Sequence, residues 1–336
     1  MNSPNAAIEI DPKQVKVVKE YAHDSPLIAC RFDPTGRYVL ATAQDNQVLR
    51  WDLTSDEKLN YAAHDSWVRG LEFSPDGKSL ITGGFDGRLI WWDMTSNSPE
   101  PVKVIEAHQG WIRSSHRSPD GELLVTGAND NLVKVWNLNT GELIQTLKGH
   151  EKNIYSVAFH PELPFVLSGD LGGTVNQWDW SQGKIVRSFD AKALHSYNGG
   201  QRVDFGGVRA LAVSNDRTHL ACGGLHNASN PLGAVHDPLV VVFDWESQEA
   251  IKSLVAPDLK GVIWRCLYHP SGILIGGSGG NSGGFLLFWD GEAEKDIHRF
   301  KLPHLARDMD LHQDGLRIAT PHYDKKLRIS SLAPTE

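Results

Sequence analysis

AHDSWVRGLEFSPDGKSLITGGFDGRLIWWDM, residues 63–94, holds three short apolar runs separated by tight turns. A histidine precedes the first run, Ser-Pro-Asp-Gly separates the first two, and Trp-Asp closes the third. Proline and glycine in such turns punctuate β-structure. No run is long enough for a helical period. The stretch therefore reads as part of one small antiparallel sheet.

The same clause recurs along the chain. VLRWDL, LIWWDM, VKVWNL, VNQWDW, VVVFDW, LLFWDG and LRISSL align on Trp51, Trp92, Trp136, Trp178, Phe243, Trp289 and Ser330. The spacings are 41, 44, 42, 65, 46 and 41 residues. Upstream lie the turns FDPTG, FSPDG, RSPDG, FHPEL and YHPSG, and before them AHDSP, AHDSW, AHQGW, GHEKN and PHLAR. Each clause reads as four short strands. A lone sheet of that size cannot bury both faces, so the sheets must stack around an axis.

These marks resemble the tryptophan-aspartate (WD) repeat family of β-propellers, of the G-beta type, over about residues 13–332. The resemblance implies an all-β fold, a seven-bladed propeller of four-stranded antiparallel blades. Residues 1–12 and 333–336 are expected to be tails on a propeller spanning 13–332. The last clause supplies three strands only, and QVKVVKEY (14–21) has no partners nearby in sequence. The resemblance implies that this N-terminal strand completes the last blade, which removes an open sheet edge.

The resemblance also implies a structural role for His64, Thr82, Asp86 and Trp92, and for His108, Thr126, Asp130 and Trp136. In each set a buried hydrogen-bond chain is expected, because buried polar groups must find partners. Other blades depart from the pattern. Blade one has Ala41 for the hydroxyl residue, with His23, Asp45 and Trp51 in place. Blade four has Gly172 where the acid is expected. Blade seven keeps His304, Thr320 and Asp324 but ends in Ser330, and blades five and six keep almost nothing.

Composition narrows the function. With 41 acidic against 33 basic residues the formal charge is −8. A general nucleic-acid or acidic-membrane binder needs a basic face instead. Three cysteines without C-x-x-C spacing form neither a disulfide framework nor a zinc site. No apolar stretch reaches the ~18 residues of a membrane span. A cytoplasmic, monomeric protein without cofactor or metal is expected.

Two features mark a candidate site. KALHSYNGGQRVDFGG (192–207) adds about twelve residues between blades four and five and shows no strand period. GLHNASNPLGAVHDP adds about eleven inside blade five, and GGSGGNSGGF about three inside blade six as an elongated turn. In the family's geometry these loops rise on one face, the top. Binding concentrates in long loops on rigid scaffolds, which singles out His195, Tyr197, Arg202, Asp204, Phe205, His226, Asn227 and His236. The second feature is one position just inside the first strand of every blade: Ile28, Arg69, Arg113, Tyr155, Arg209, Trp264 and Arg307. Family geometry puts this ring at the top mouth of the central channel, with Trp67 and Trp111 beside it. Arginine, tyrosine and tryptophan dominate interface hot spots.

The expected function is a non-catalytic interaction scaffold that docks a protein or peptide, with an acidic or phosphorylated segment, on the top face. The alternative is a small-molecule or metal site, with hydrolase activity among its outcomes, in which His195, His226 and His236 meet under the blade-five insertions. No His-x-x-x-His or cysteine pair fixes such a site in sequence.

Overall fold

The computed structural model describes residues 8–230 and 235–334, and residues 1–7, 231–234 and 335–336 lie outside them. The described residues form seven four-stranded antiparallel sheets and one separate two-stranded hairpin. The sheets follow one another as propeller blades. Blade two runs Val68–Phe73, Ser79–Gly84, Arg88–Asp93 and Pro101–Glu106, from the central channel outward. Its first two strands are joined at Ser74–Lys78, where the Asp76 carboxylate accepts from the Lys78 amide (3.1 Å) and the Ser74 hydroxyl (2.7 Å). The Pro-Asp-Gly signal thus becomes a turn that is satisfied by its own side chain.

Alternation along each strand sends neighbouring residues to opposite faces, and each face packs on a different blade. Val39 and Ala41 join Ala319, Leu327 and Ile329 of blade seven. Leu40, between them, joins Leu71, Ile90 and Trp92 of blade two. Seven such apolar clusters occur among the described residues, one at each blade-to-blade boundary. Burial is therefore shared around a ring, and no single blade has a core of its own.

The ring closes through the chain's first strand. Lys16–Ala22 pairs antiparallel with Lys326–Ser331, with Tyr21 opposite Leu327. Glu20 accepts from Lys326 (2.6 Å) and Arg328 (2.5 Å), and Tyr21 stacks on Trp51 of blade one at 5.5 Å. These two cations draw the Glu20 carboxyl below its ordinary range.

The insertions are more regular than their sequence. Residues 192–207 form a short turn, Lys192–Leu194, and a hairpin of His195–Asn198 with Val203–Gly206. Four-residue strands are too short to show a period. The hairpin is turned by Arg202 in the left-handed region (φ 54°) and by Asn198, whose side chain accepts from the Gln201 amide (3.0 Å). Leu194 anchors it by packing into the apolar boundary between blades four and five. The blade-five excess lengthens two strands to His219–Asn230 and Val235–Asp244. In blade six the glycine run also enters the ladder, with Gly279 opposite Gly284 and Gly280 opposite Gly283. It is a strand hairpin, not an elongated turn. Glycine is required because the 304–306 segment passes so close. A Cβ on Gly279 would lie 2.0 Å from the Ala306 carbonyl oxygen.

Candidate functional site

Blades two and three carry complete hydrogen-bond chains. The Trp92 indole donates to the Thr82 hydroxyl (2.9 Å), Thr82 lies 2.8 Å from His64 Nε2, and His64 Nδ1 lies 2.9 Å from the Asp86 carboxylate. Trp136, Thr126, His108 and Asp130 repeat this at 2.9, 2.8 and 3.0 Å. A proton on Nδ1 of each histidine lets every member donate or accept in sequence. Burial opposes ionisation of Asp86, but the His64 hydrogen bond and the Arg88 and Asp65 amides hold its carboxyl well below the usual range.

The other blades show how the chain is rebuilt or dissolved. In blade four the acid is Asp170, not absent: it sits 2.8 Å from His150 Nδ1, on the end of the second strand, two positions before Gly172. Ser168 bridges His150 (2.7 Å) and Trp178 (2.7 Å). In blade seven the histidine is His322, not His304. Its Nε2 meets Thr320 (2.8 Å) and its Nδ1 meets the His304 carbonyl (2.9 Å). Asp324 instead takes a two-pronged pair from Arg328 (2.8 and 2.7 Å). In blade one His23 reaches Asp45 through Nε2 (2.8 Å), since Ala41 offers no hydroxyl. Blade five replaces the indole and the hydroxyl by Phe243 and Cys222. Blade six has Gly276 beneath Trp289, and the buried indole N–H is left without an acceptor among the described residues.

At the mouth, Ile28, Arg69, Arg113, Tyr155, Arg209, Trp264 and Arg307 line a single cavity of about 200 Å³ together with Trp67, Phe85 and Trp111. From Arg113 to Arg307 guanidiniums and rings alternate. Tyr155 lies between Arg113 (4.4 Å) and Arg209 (4.2 Å), and Trp264 between Arg209 (5.3 Å) and Arg307 (6.0 Å). Arg69 reaches across to Trp264 at 5.9 Å. Such contacts hold a cation over a ring face. Arg113 donates to the Asn129 side-chain oxygen (2.6 Å) and Arg209 to the Gly206 carbonyl (3.0 Å). Among the described residues none of the four arginines forms an ion pair. The nearby acid, Asp308, pairs with Arg31 in the layer below (3.0 Å).

The electrostatics follow. Burial, then the neighbouring guanidiniums, lowers Arg69 to about 10 against the attraction of Asp308. Burial and Arg113 lower Arg209 to about 10, and burial lowers Arg113 and Arg307 as well. All four remain charged at neutral pH. The mouth holds four positive charges that repel one another.

The hairpin at 195–206 touches the mouth through the Gly206 carbonyl, which accepts from Arg209, and none of the predicted loop residues lines the cavity. His195 lies 2.8 Å from Asp204, which also pairs with Lys152 of blade four (2.8 Å). Tyr197 and Arg202 are exposed near the hairpin tip, and Phe205 is half-buried. Asn227 donates to Asp237 (3.1 Å), which pairs with Lys260. His236 is buried, and its backbone carbonyl accepts from Gly261 (2.9 Å), joining the blade-five hairpin to the loop that enters blade six. No group of three or more His, Cys, Asp or Glu side chains is placed to hold a metal among the described residues. The structure therefore does not assemble His195, His226 and His236 into one centre.

The WD domain, G-beta repeat family matches residues 14–52, 56–93, 99–137 and 141–179, which are the first four clauses of a seven-bladed ring. The chain is a WD-repeat β-propeller. This WD-repeat protein is 33% identical over 60 residues to the probable coatomer subunit beta' of Schizosaccharomyces pombe, a stretch covering 18% of this chain and 8% of that protein. It is 39% identical over 62 residues to the small ribosomal subunit protein RACK1y of Oryza sativa subsp. japonica, covering 18% of each. The matched segment thus spans under a fifth of either relative.

Sequence reasoning missed Phe85, Asn129 and Tyr323 of this propeller. Each occupies the position just before the turn acid of its blade, and each backbone amide bonds back toward the entry loop: Phe85 to Trp67, Asn129 to Trp111, Tyr323 to Leu305 (2.7–3.0 Å). Phe85 stacks flat on Trp111 (4.7 Å, 1°), Asn129 accepts from Arg113, and Tyr323 lies 5.8 Å from the Arg307 guanidinium. Reading that position across the clauses would have found them.

Proposed function

We propose that this WD-repeat protein is a non-catalytic interaction scaffold whose top mouth grips an acidic segment of a protein partner. The observation that carries this reading is the set of four half-buried guanidiniums in one cavity of an otherwise acidic protein, none of them ion-paired among the described residues. Uncompensated buried charge is unfavourable unless a ligand supplies the counter-charge. Arginine and aromatic side chains in a shallow depression also suit interface anchoring. A cytoplasmic monomer acting on protein partners, without nucleic acid or membrane, belongs to the same reading.

The test is charge reversal. Arg69→Glu, Arg113→Glu and Arg209→Glu combined should abolish calorimetric binding of an oligoglutamate peptide and leave the far-ultraviolet spectrum unchanged. Binding by the parent should weaken with added salt, as a charge-driven contact requires. Equal binding by parent and variant would refute the reading.

A further inference from the structure

The proposal above leaves the chemistry of the acidic group and its neighbour open, and the geometry of the mouth carries both further. Four guanidiniums line one cavity of about 200 Å³. That space admits a side-chain headgroup and not a folded element. A carboxylate brings one charge and two oxygens. A phosphate monoester brings close to two charges and three strong acceptor oxygens, which suits convergent arginines far better.

A second feature is one-sided. Trp67, Phe85 and Trp111 extend the cavity over blades two and three only. Phe85 and Trp111 stack in parallel, and Trp111 is 47% exposed. Arg113 lies against both, at 5.5 Å from Phe85 and 5.1 Å from Trp111, and against Tyr155 inside the ring. Arg113 therefore joins a flat apolar shelf to the charged cavity. A small free anion would leave the shelf bare, whereas a peptide carries the anion and a flat side chain on one backbone.

We infer that the top mouth receives a phosphorylated peptide segment, with the phosphate among Arg69, Arg113, Arg209 and Arg307 and a neighbouring aromatic or large aliphatic residue on the Trp111–Phe85 shelf. This inference rests on the acidic-segment reading of the same site.

Calorimetry with the full chain and unlabelled peptides on one neutral backbone tests it. The peptides carry phosphoserine beside Phe, serine beside Phe, glutamate beside Phe, and phosphoserine beside Gly. Phosphoserine beside Phe is expected to bind most tightly. Loss of the phosphate should weaken binding by about a hundredfold, and glutamate in its place by about tenfold. Replacing Phe by Gly should weaken it by about fivefold. Trp111→Ala should remove that Phe-to-Gly difference while melting like the parent, because Trp111 is half-exposed. Glutamate binding as well as phosphoserine would overturn the inference and leave the acidic-segment reading standing. So would a Phe-to-Gly difference that survives Trp111→Ala. Inositol hexakisphosphate binding more tightly than every peptide, unaffected by Trp111→Ala, would assign the cavity to a free polyphosphate and also overturn it. Binding of no peptide at all would defeat both.

Discussion

Blades two and three and blades five and six solve the same packing problem in opposite ways. Blade two links Trp92, Thr82, His64 and Asp86 through three hydrogen bonds, two of them buried. Blade five puts Phe243 and Cys222 at the corresponding positions and needs none. Exchanging both partners for apolar groups is nearly neutral, while removing one strands the other. Blade six sits between these cases, since Gly276 withdraws the acceptor and the buried Trp289 N–H has no partner among the described residues. The polar chain is thus one option for fixing a blade. The blades that gave it up are also those whose second and third strands lengthen.

The largest expected effect breaks the ring that both kinds of blade share. Deleting residues 1–22 removes the strand that pairs with Lys326–Ser331 and strips Tyr21 from Trp51. The product should be insoluble or unfolded by circular dichroism. A truncated chain melting like the parent would show that closure lies elsewhere.

Next comes the comparison itself. Thr82→Val leaves the Trp92 N–H and His64 Nε2 without partners and should cost about 2–3 kcal/mol in urea unfolding. Cys222→Val, at the equivalent place in blade five, should cost less than about 1 kcal/mol. Similar losses at both sites would remove the distinction between the blades.

A smaller effect lies in the channel. Burial, opposed by Arg31, Arg265 and Arg117, raises Glu72 to about 7 from 4.5. The folded state then binds more protons than the unfolded chain between these values. Stability falls as pH rises from 4.5 to 7 and stays lowered above it. Glu72→Gln should be more stable than the parent by about 1–2 kcal/mol at pH 8 and equal to it below pH 4.5. The smallest effect is at the hairpin tip. Removing Gly199 and Gly200, which are exposed, should leave the melting temperature unchanged, because Leu194 holds the hairpin from its base.

The regular blades were legible in the sequence because each mark there has a local cause: a turn needs Pro-Asp-Gly, and a donor–acceptor chain needs its residues at fixed intervals. The ring of Arg69, Arg113, Arg209 and Arg307 was legible for the same reason, since one register recurs at the entry to each blade, inside the first strand for Arg69 and Arg113 and before it for Arg209 and Arg307. What escaped depends on space and not on order. His322 replaces His304 because Thr320 can reach a ring two residues along the same chain. Asp170 replaces the acid expected at 172 from the neighbouring strand end. The hairpin at 192–207 is specified by its anchor at Leu194 and its turn, and its short strands carry no pattern of their own.

The central claim is that the mouth stores uncompensated positive charge. Arg69 tests it most directly, because its side chain has no hydrogen bond or ion pair among the described residues, and the attraction of Asp308, which is paired with Arg31, is set against repulsion from three guanidiniums. Thermal melting of Arg69→Met against the parent, at low and at high salt, reads that charge. The account predicts that the variant melts higher at low salt and that added salt closes the gap. A variant that melts lower at both would show a guanidinium satisfied within the fold, and would contradict the account.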